Sequence, residues 1–89
     1  MLSSVDMQII HASAKEYGVK EIILFGSSLR DPENAHDIDL GVLGIAPEKF
    51  FAFYGDLLMR LRKPVDLVDL SESTNFTALI LRRGEKIYG

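Results

Sequence analysis

Two adjacent acids, Asp37 and Asp39, and a Gly-Ser pair, Gly26 and Ser27, are the residues of this chain whose types and spacing point to chemistry. The stretch "HDIDLGVL", His36 to Leu43, alternates: Ile38, Leu40 and Val42 fall on one face of a strand, Asp37, Asp39 and Gly41 on the other. At a rise of about 3.3 Å per residue the two acids stand roughly 6–7 Å apart at Cα, side by side. Adjacent anions on a packed strand repel each other and lose hydration, so at least one takes up a proton unless a cation neutralises the pair. Mg²⁺ relieves that repulsion, because it binds through a few carboxylates together with water and substrate phosphate oxygens. A third carboxylate would suit a pair of metal ions about 3.5–4 Å apart, which activate an attacking oxygen and steady a leaving one. Asp66 and Asp69 are the candidates. Three apart on a strand, they face opposite sides, so only one can join. Asp66, flanked by Val65 and Leu67, is the expected third ligand, whereas Asp69 lies nearer the strand end, where turns and caps are made.

The Gly-Ser pair fits a triphosphate. Gly26 lets backbone amides approach the phosphates, the Ser27 hydroxyl can donate to a phosphate oxygen, and a short helical turn after Ser27 would aim its amides at the same anion. Arg30 can add a charge-assisted contact. Gly-Ser after a strand is by itself only a turn signal, and its weight here comes from the acidic strand that follows.

The elements that must position these residues alternate along the chain. Ser3 or Ser4 caps a first helix, with Asp6 as a capping-box partner and Met7, Ile10, Ala14 and Tyr17 as its apolar stripe, ended by Gly18. "KEIILF", Lys20 to Phe25, is a short strand buried on both faces, closed by Gly26. After the acidic strand, Pro47 opens a core helix whose stripe is Phe50, Tyr54, Leu57, Leu58 and Leu61, until Pro64 forbids continuation. The aromatic run "FFAFY" is expected to pack on the sheet rather than to stack on nucleobases. "VDLVDL", Val65 to Leu70, is a third strand, and "STNFTALILRRG", Ser73 to Gly84, a last helix. The predicted order is αβ(turn)βαβα, an α/β (α+β) chain.

Bulk properties bound the rest. Eighty-nine residues make one domain, residues 1–89, whose folding removes roughly 60% of the unfolded chain's surface from water. No apolar run approaches the ~18 residues of a membrane span. Zero cysteines exclude disulfides, thiolate zinc and a Cys nucleophile, and the start "MLSSVDMQII" has neither a basic region nor a cleavage site, so a cytoplasmic location is expected. A net charge of −3 argues against broad nucleic-acid binding, and the basic runs "RLRK" and "LRRGEK" are expected at helix ends, complementing the helix dipole.

The combination "LFGSSLR", "HDIDLGV" and "VDLVDL" resembles the minimal nucleotidyltransferases of the DNA polymerase β superfamily, and the ending "LILRRGEKIYG" resembles the close of such domains. The resemblance covers most of the chain. It implies a small mixed sheet packed with helices and transfer of a nucleoside monophosphate from an NTP, ATP above all, to a hydroxyl, with two Mg²⁺ ions. It also implies Gly26 and Ser27 as triphosphate binders, Asp37 and Asp39 as metal ligands, and Asp66 as the third ligand, helping to deprotonate the acceptor. The spacer between Ser27 and Asp37 is nine residues, one shorter than in many relatives, and His36 stands where a serine is frequent. By alternation His36 points away from the aspartates, so a core or edge histidine is expected, as for His11.

Such short chains are similar to the antitoxins of HEPN/MNT toxin-antitoxin pairs, in which the small enzyme adenylylates a tyrosine of a helical RNase toxin. A HEPN-type toxin is therefore the expected partner and antitoxin action by AMPylation the expected role. Two other classes compete: a module that neutralises its partner by contact alone, and an aminoglycoside-type small-molecule transferase, disfavoured by the absence of an acceptor domain. A haloacid-dehalogenase-type phosphatase would want Thr or Val where Leu40 and Gly41 stand, and "DPENAHDID" lacks the Gly and Glu of a calcium loop.

Overall fold

A computed structural model describes residues 2–89. Helix α1 (Ser4–Glu16) leads to strand β1 (Glu21–Phe25), a single helical turn α2 (Ser27–Arg30) and strand β2 (Ile38–Leu43). A 3₁₀ turn (Pro47–Lys49) enters helix α3 (Phe50–Arg60), followed by strand β3 (Val65–Asp69), helix α4 (Asn75–Arg83) and strand β4 (Glu85–Tyr88). The four strands form one mixed sheet in the order β3-β2-β1-β4: β1 runs antiparallel to both β2 and β4, and β2 runs parallel to β3. The expected helices and strands are present. The fourth strand was not foreseen, and β2 begins at Ile38 rather than His36.

The sheet's two faces differ. One face carries Ile22, Leu24, Ile38, Leu40, Val42, Val65 and Leu67, all buried beneath Ile10 and Ala14 of α1 and Phe53 and Leu57 of α3. Fully burying one such aliphatic or aromatic side chain is worth roughly 1.5–3 kcal/mol, so this layer carries most of the stability. The two helices are fastened to each other by the Ser13 hydroxyl, which donates to Asp56 at 2.6 Å, and Arg60 pairs with the same carboxylate oxygen at 3.3 Å. Of the expected α3 stripe, Leu57 and Leu61 are buried and Phe50 and Tyr54 half-buried, whereas Leu58 is 48% exposed because the stripe is narrower than its apolar positions. The aromatic run behaves as core only in part: Phe53 is fully buried and Phe51 points outward.

The opposite face holds a smaller cluster, Ile23, Leu70 and Ile80, with Phe25, Leu43 and Val68 beside it. Gly41 lies there because Leu70 packs across it: a Cβ at position 41 would meet Leu70 Cδ1 at 2.7 Å. Helix α4 starts with a reciprocal cap, Thr77 N–H donating to Thr74 Oγ1 (3.1 Å) and Thr74 N–H to Thr77 Oγ1 (2.9 Å). Arg82 and Arg83 occupy its last turn, as the dipole favours, but Glu85 and Lys86 of "LRRGEK" lie in β4. Among the described residues no helix is long and apolar enough to cross a membrane.

Candidate active site

The acids lie on the thinly covered face. Parallel pairing sets Asp39 opposite Asp66, and antiparallel pairing sets Phe25 opposite Asp39, so β2 carries its carboxylate between the edge strand β3 and the end of β1. Asp37 is two residues earlier, just outside the strand, where Ile38 N–H donates to Pro64 O at 2.9 Å and fixes the entry. The burial of Asp39, then the charges of Asp66 and Asp37, raise its pKa above the ordinary aspartate value, with the Ser28 backbone amide pulling the other way. The charges of Asp66 and Asp37 thus both reach Asp39, which lies between them. Asp69 has the other fate open to it: its carboxylate accepts the Ser71 N–H at 3.0 Å and closes the turn after β3.

Gly26 abuts this cluster. Its backbone (φ 67°, ψ −151°) lies in a region essentially reserved for glycine, and a Cβ there would come within 2.6 Å of Asp39 Oδ2. No other residue type can end β1, turn into α2 and leave the Asp39 carboxylate in place. Ser28 then locks the turn to the acidic strand, its buried hydroxyl donating to Phe25 O (2.8 Å) and accepting the Asp39 N–H (3.0 Å). This positioning residue was not picked out from the sequence. The signal was there in the second serine of "GSS", since a buried hydroxyl that both donates and accepts can bridge two backbone segments.

A polar cleft of about 260 Å³ opens beside the acids, walled by Ser27, Asp31, Asn34, His36, Asp37 and Asp39. The Asp31 carboxylate holds the Asn34 side-chain amide (3.1 and 3.2 Å), and Lys63 Nζ donates to Ala35 O (3.0 Å), so the connection from α2 to β2 is tied at both ends. Lys63 of "RLRK" therefore serves that loop rather than a helix end. His36 departs from expectation: strand alternation does not reach it, because β2 starts two residues later, and it is exposed at the cleft wall. His11 is an edge residue, its Nε2 2.6 Å from Ile87 O and its ring edge-on to Tyr88. Ser27 is exposed in the acid cleft, whereas Arg30 lines a different cavity that shares Gly26.

Residues 7–89 match the family model described as polymerase beta, nucleotidyltransferase. The chain belongs to that family. Among solved structures, this nucleotidyltransferase domain is similar to a toxin-antitoxin with AMP-PNP, at 23% identity and a TM-score of 0.75 over 93% of this chain and 73% of the other. It is similar to the toxin-antitoxin MntA-HepT at 22% identity and TM-score 0.72, covering 98% and 73%. It also resembles a complex of a tri-AMPylated Shewanella oneidensis HEPN toxin with MNT antitoxin, at 21% identity and TM-score 0.73, covering 99% and 73%. These neighbours share the fold. No curated protein sequence is similar enough to count as a match.

Among the described residues, no three His, Cys, Asp or Glu side chains close around a point that would hold a metal ion by themselves. The donor set of the candidate site would still suit Mg²⁺. It is all carboxylate oxygen, the central acid is strained by its two neighbours' charge, and Mg²⁺ keeps water and phosphate oxygens in its shell instead of demanding an all-protein cage.

Proposed function

We propose that the chain transfers AMP from ATP to a hydroxyl of a partner protein, a tyrosine of a HEPN-type toxin, and acts in the cytoplasm as the antitoxin of such a pair. The observation that carries this reading is the Asp39–Asp66 register with Asp37 alongside, set against Gly26, where a Cβ would meet the Asp39 carboxylate. The structural neighbours that hold AMP-PNP or an AMPylated HEPN toxin support the choice of nucleotide and partner.

In this reading Asp37, Asp39 and Asp66 hold Mg²⁺, which when bound neutralises charge developing on the transferring phosphoryl group. Gly26 leaves room for the triphosphate, Ser27 donates to a phosphate oxygen, and Arg30 adds a charge-assisted contact. The acceptor oxygen bonds to the α-phosphorus, the bond from that phosphorus to the bridging oxygen of the β-phosphate breaks, and pyrophosphate leaves. Asp66, exposed on the edge strand, takes the acceptor's proton.

The test is incubation with Mg²⁺, ATP and the product of the neighbouring gene, followed by mass spectrometry of that product. AMP-sized additions that disappear in Asp37→Ala and in Asp39→Ala, a loss of about a thousandfold or more in rate, are expected. A tight complex with no addition, unchanged in both variants, would show a contact-only antitoxin. Modification of a free aminoglycoside instead would show a small-molecule transferase.

A further inference from the structure

Helix α3 is held from two sides. Toward α1 it presents Asp56, which accepts the Ser13 hydroxyl, and Phe53, whose ring leans on Tyr17. Toward β3 it presents Tyr54, whose hydroxyl donates to Val65 O at 2.9 Å. The third side is turned to solvent, and it is apolar. Phe51, Ala52, Gly55, Leu58 and Met59 fall together on it at helical spacing, with Phe51 80% and Met59 88% exposed. We propose that this face is the interface with a second copy of the chain, the two α3 helices crossing antiparallel about a twofold axis at Gly55.

Gly55 is the first ground. Glycine inside a helix is less favourable than alanine, and among the described residues nothing lies within 4 Å of where its Cβ would stand, so packing within the chain does not call for it. A bare backbone at the middle of an apolar helix face lets another helix approach closely. Self-complementarity is second. A twofold at Gly55 sets residues equally far before and after it against each other, so Phe51 meets Met59 of the second copy and Ala52 meets its Leu58, small against large. Charge is third. The same register brings Glu48, in the turn before α3, to Arg62 of the second copy, just past the helix end, and symmetry makes the pair twice. A parallel crossing would set Glu48 on Glu48 and Arg62 on Arg62. Antiparallel helices also bring the positive end of each dipole to the negative end of the other. The acid cleft opens on the opposite face of the sheet, so pairing through α3 leaves both clefts free.

The experiment is sedimentation velocity of the full chain from about 1 μM to 1 mM. One helix pair is at the small end of specific interfaces, so a dissociation constant on the order of 100 μM is expected. Met59→Glu, at a position exposed enough that the fold does not depend on it, is expected to weaken the dimer about tenfold or more. Glu48→Arg and Arg62→Glu are each expected to weaken it about threefold, and the double variant to recover the wild-type constant, a recovery that follows from antiparallel self-pairing. Because the chain has no cysteine, Gly55→Cys places a single thiol on the axis. Mild oxidation is expected to give a covalent dimer about tenfold faster than in Glu33→Cys, an exposed loop position. A wild type that stays monomeric throughout overturns the proposal, and loss of binding to the neighbouring gene's product in Met59→Glu would then assign the face to that partner. A dimer that Met59→Glu leaves intact, with Gly55→Cys cross-linking no faster than Glu33→Cys, also overturns it, since the copies then meet elsewhere.

Discussion

The two faces of the sheet are built from the same strands by alternation, yet they are put to opposite uses. On the face under α1 and α3, Ile38, Leu40 and Val42 of β2 are sealed from water, with Phe53 and Leu57 fully buried above them. One residue out of phase, β2 offers Asp39 and Gly41 to a face whose buried cluster is only Ile23, Leu70 and Ile80. The closed face supplies the stability that lets the open one carry a carboxylate whose charge is disfavoured by burial and by two acidic neighbours. An acid in this position costs free energy, and the cation and phosphate binding proposed for this site would offset that cost.

The contrast is most directly tested by truncating one ring on each face. Phe53→Ala is expected to cost about 3–5 kcal/mol, a large share of the stability of so small a domain, measured by urea unfolding. Phe76→Ala, half-exposed on the open face, is expected to cost under about 1 kcal/mol. Equal losses would show that α4 and its face are as much core as α3. The neighbouring serines sharpen the same division at smaller scale. Ser28→Ala leaves the Asp39 N–H and the Phe25 carbonyl without their shared partner and is expected to cost about 1–3 kcal/mol by thermal unfolding. Ser27→Ala is expected to leave the unfolding curve in place and to weaken ATP binding, since Ser27 is exposed in the cleft.

What the sequence disclosed follows the same physical line. The acidic strand was legible because a period of two between apolar neighbours sets Asp39 on the face opposite Ile38 and Leu40, and a three-residue spacing separates Asp66 from Asp69 by face alone. Asp69 does cap a turn, as its place near the strand end suggested. Strand β4 was not legible because four residues, "EKIY", carry no periodic signal of their own. Their extended form comes from pairing with Ile22, Ile23 and Leu24, some sixty residues earlier, across an irregular register. His36 was misplaced for a related reason: alternation holds only inside a strand, and where β2 starts is decided by the Ile38–Pro64 hydrogen bond, a contact made in space. Ser28 and the groove behind Arg30 likewise depend on how a single helical turn is rotated against two strands, which neither propensity nor spacing encodes.

The smallest expected effect bears most directly on the comparison, because its sign is the reverse of the usual one for a site mutation. The folded-state pKa of Asp39 is raised, so the native state holds the proton more firmly than the unfolded chain does. Its favourable contribution is complete below the ordinary aspartate value near 3.9 and is lost as pH rises through the higher folded value, so at neutral pH the ionised group is a net burden. Asp39→Asn removes that burden while keeping the shape. Thermal unfolding of the variant is therefore expected above that of the wild type at pH 7, with the gap closing as pH falls below about 4. Asp39 is only partly buried, and solvent screening holds the gain below about 1 kcal/mol, a few degrees in Tm. Added Mg²⁺ is expected to narrow the gap by stabilising the wild type alone, through linkage between binding and folding. An Asp39→Asn protein less stable than the wild type at neutral pH would show that the carboxylate is held by favourable contacts, and that the open face carries no unrelieved charge.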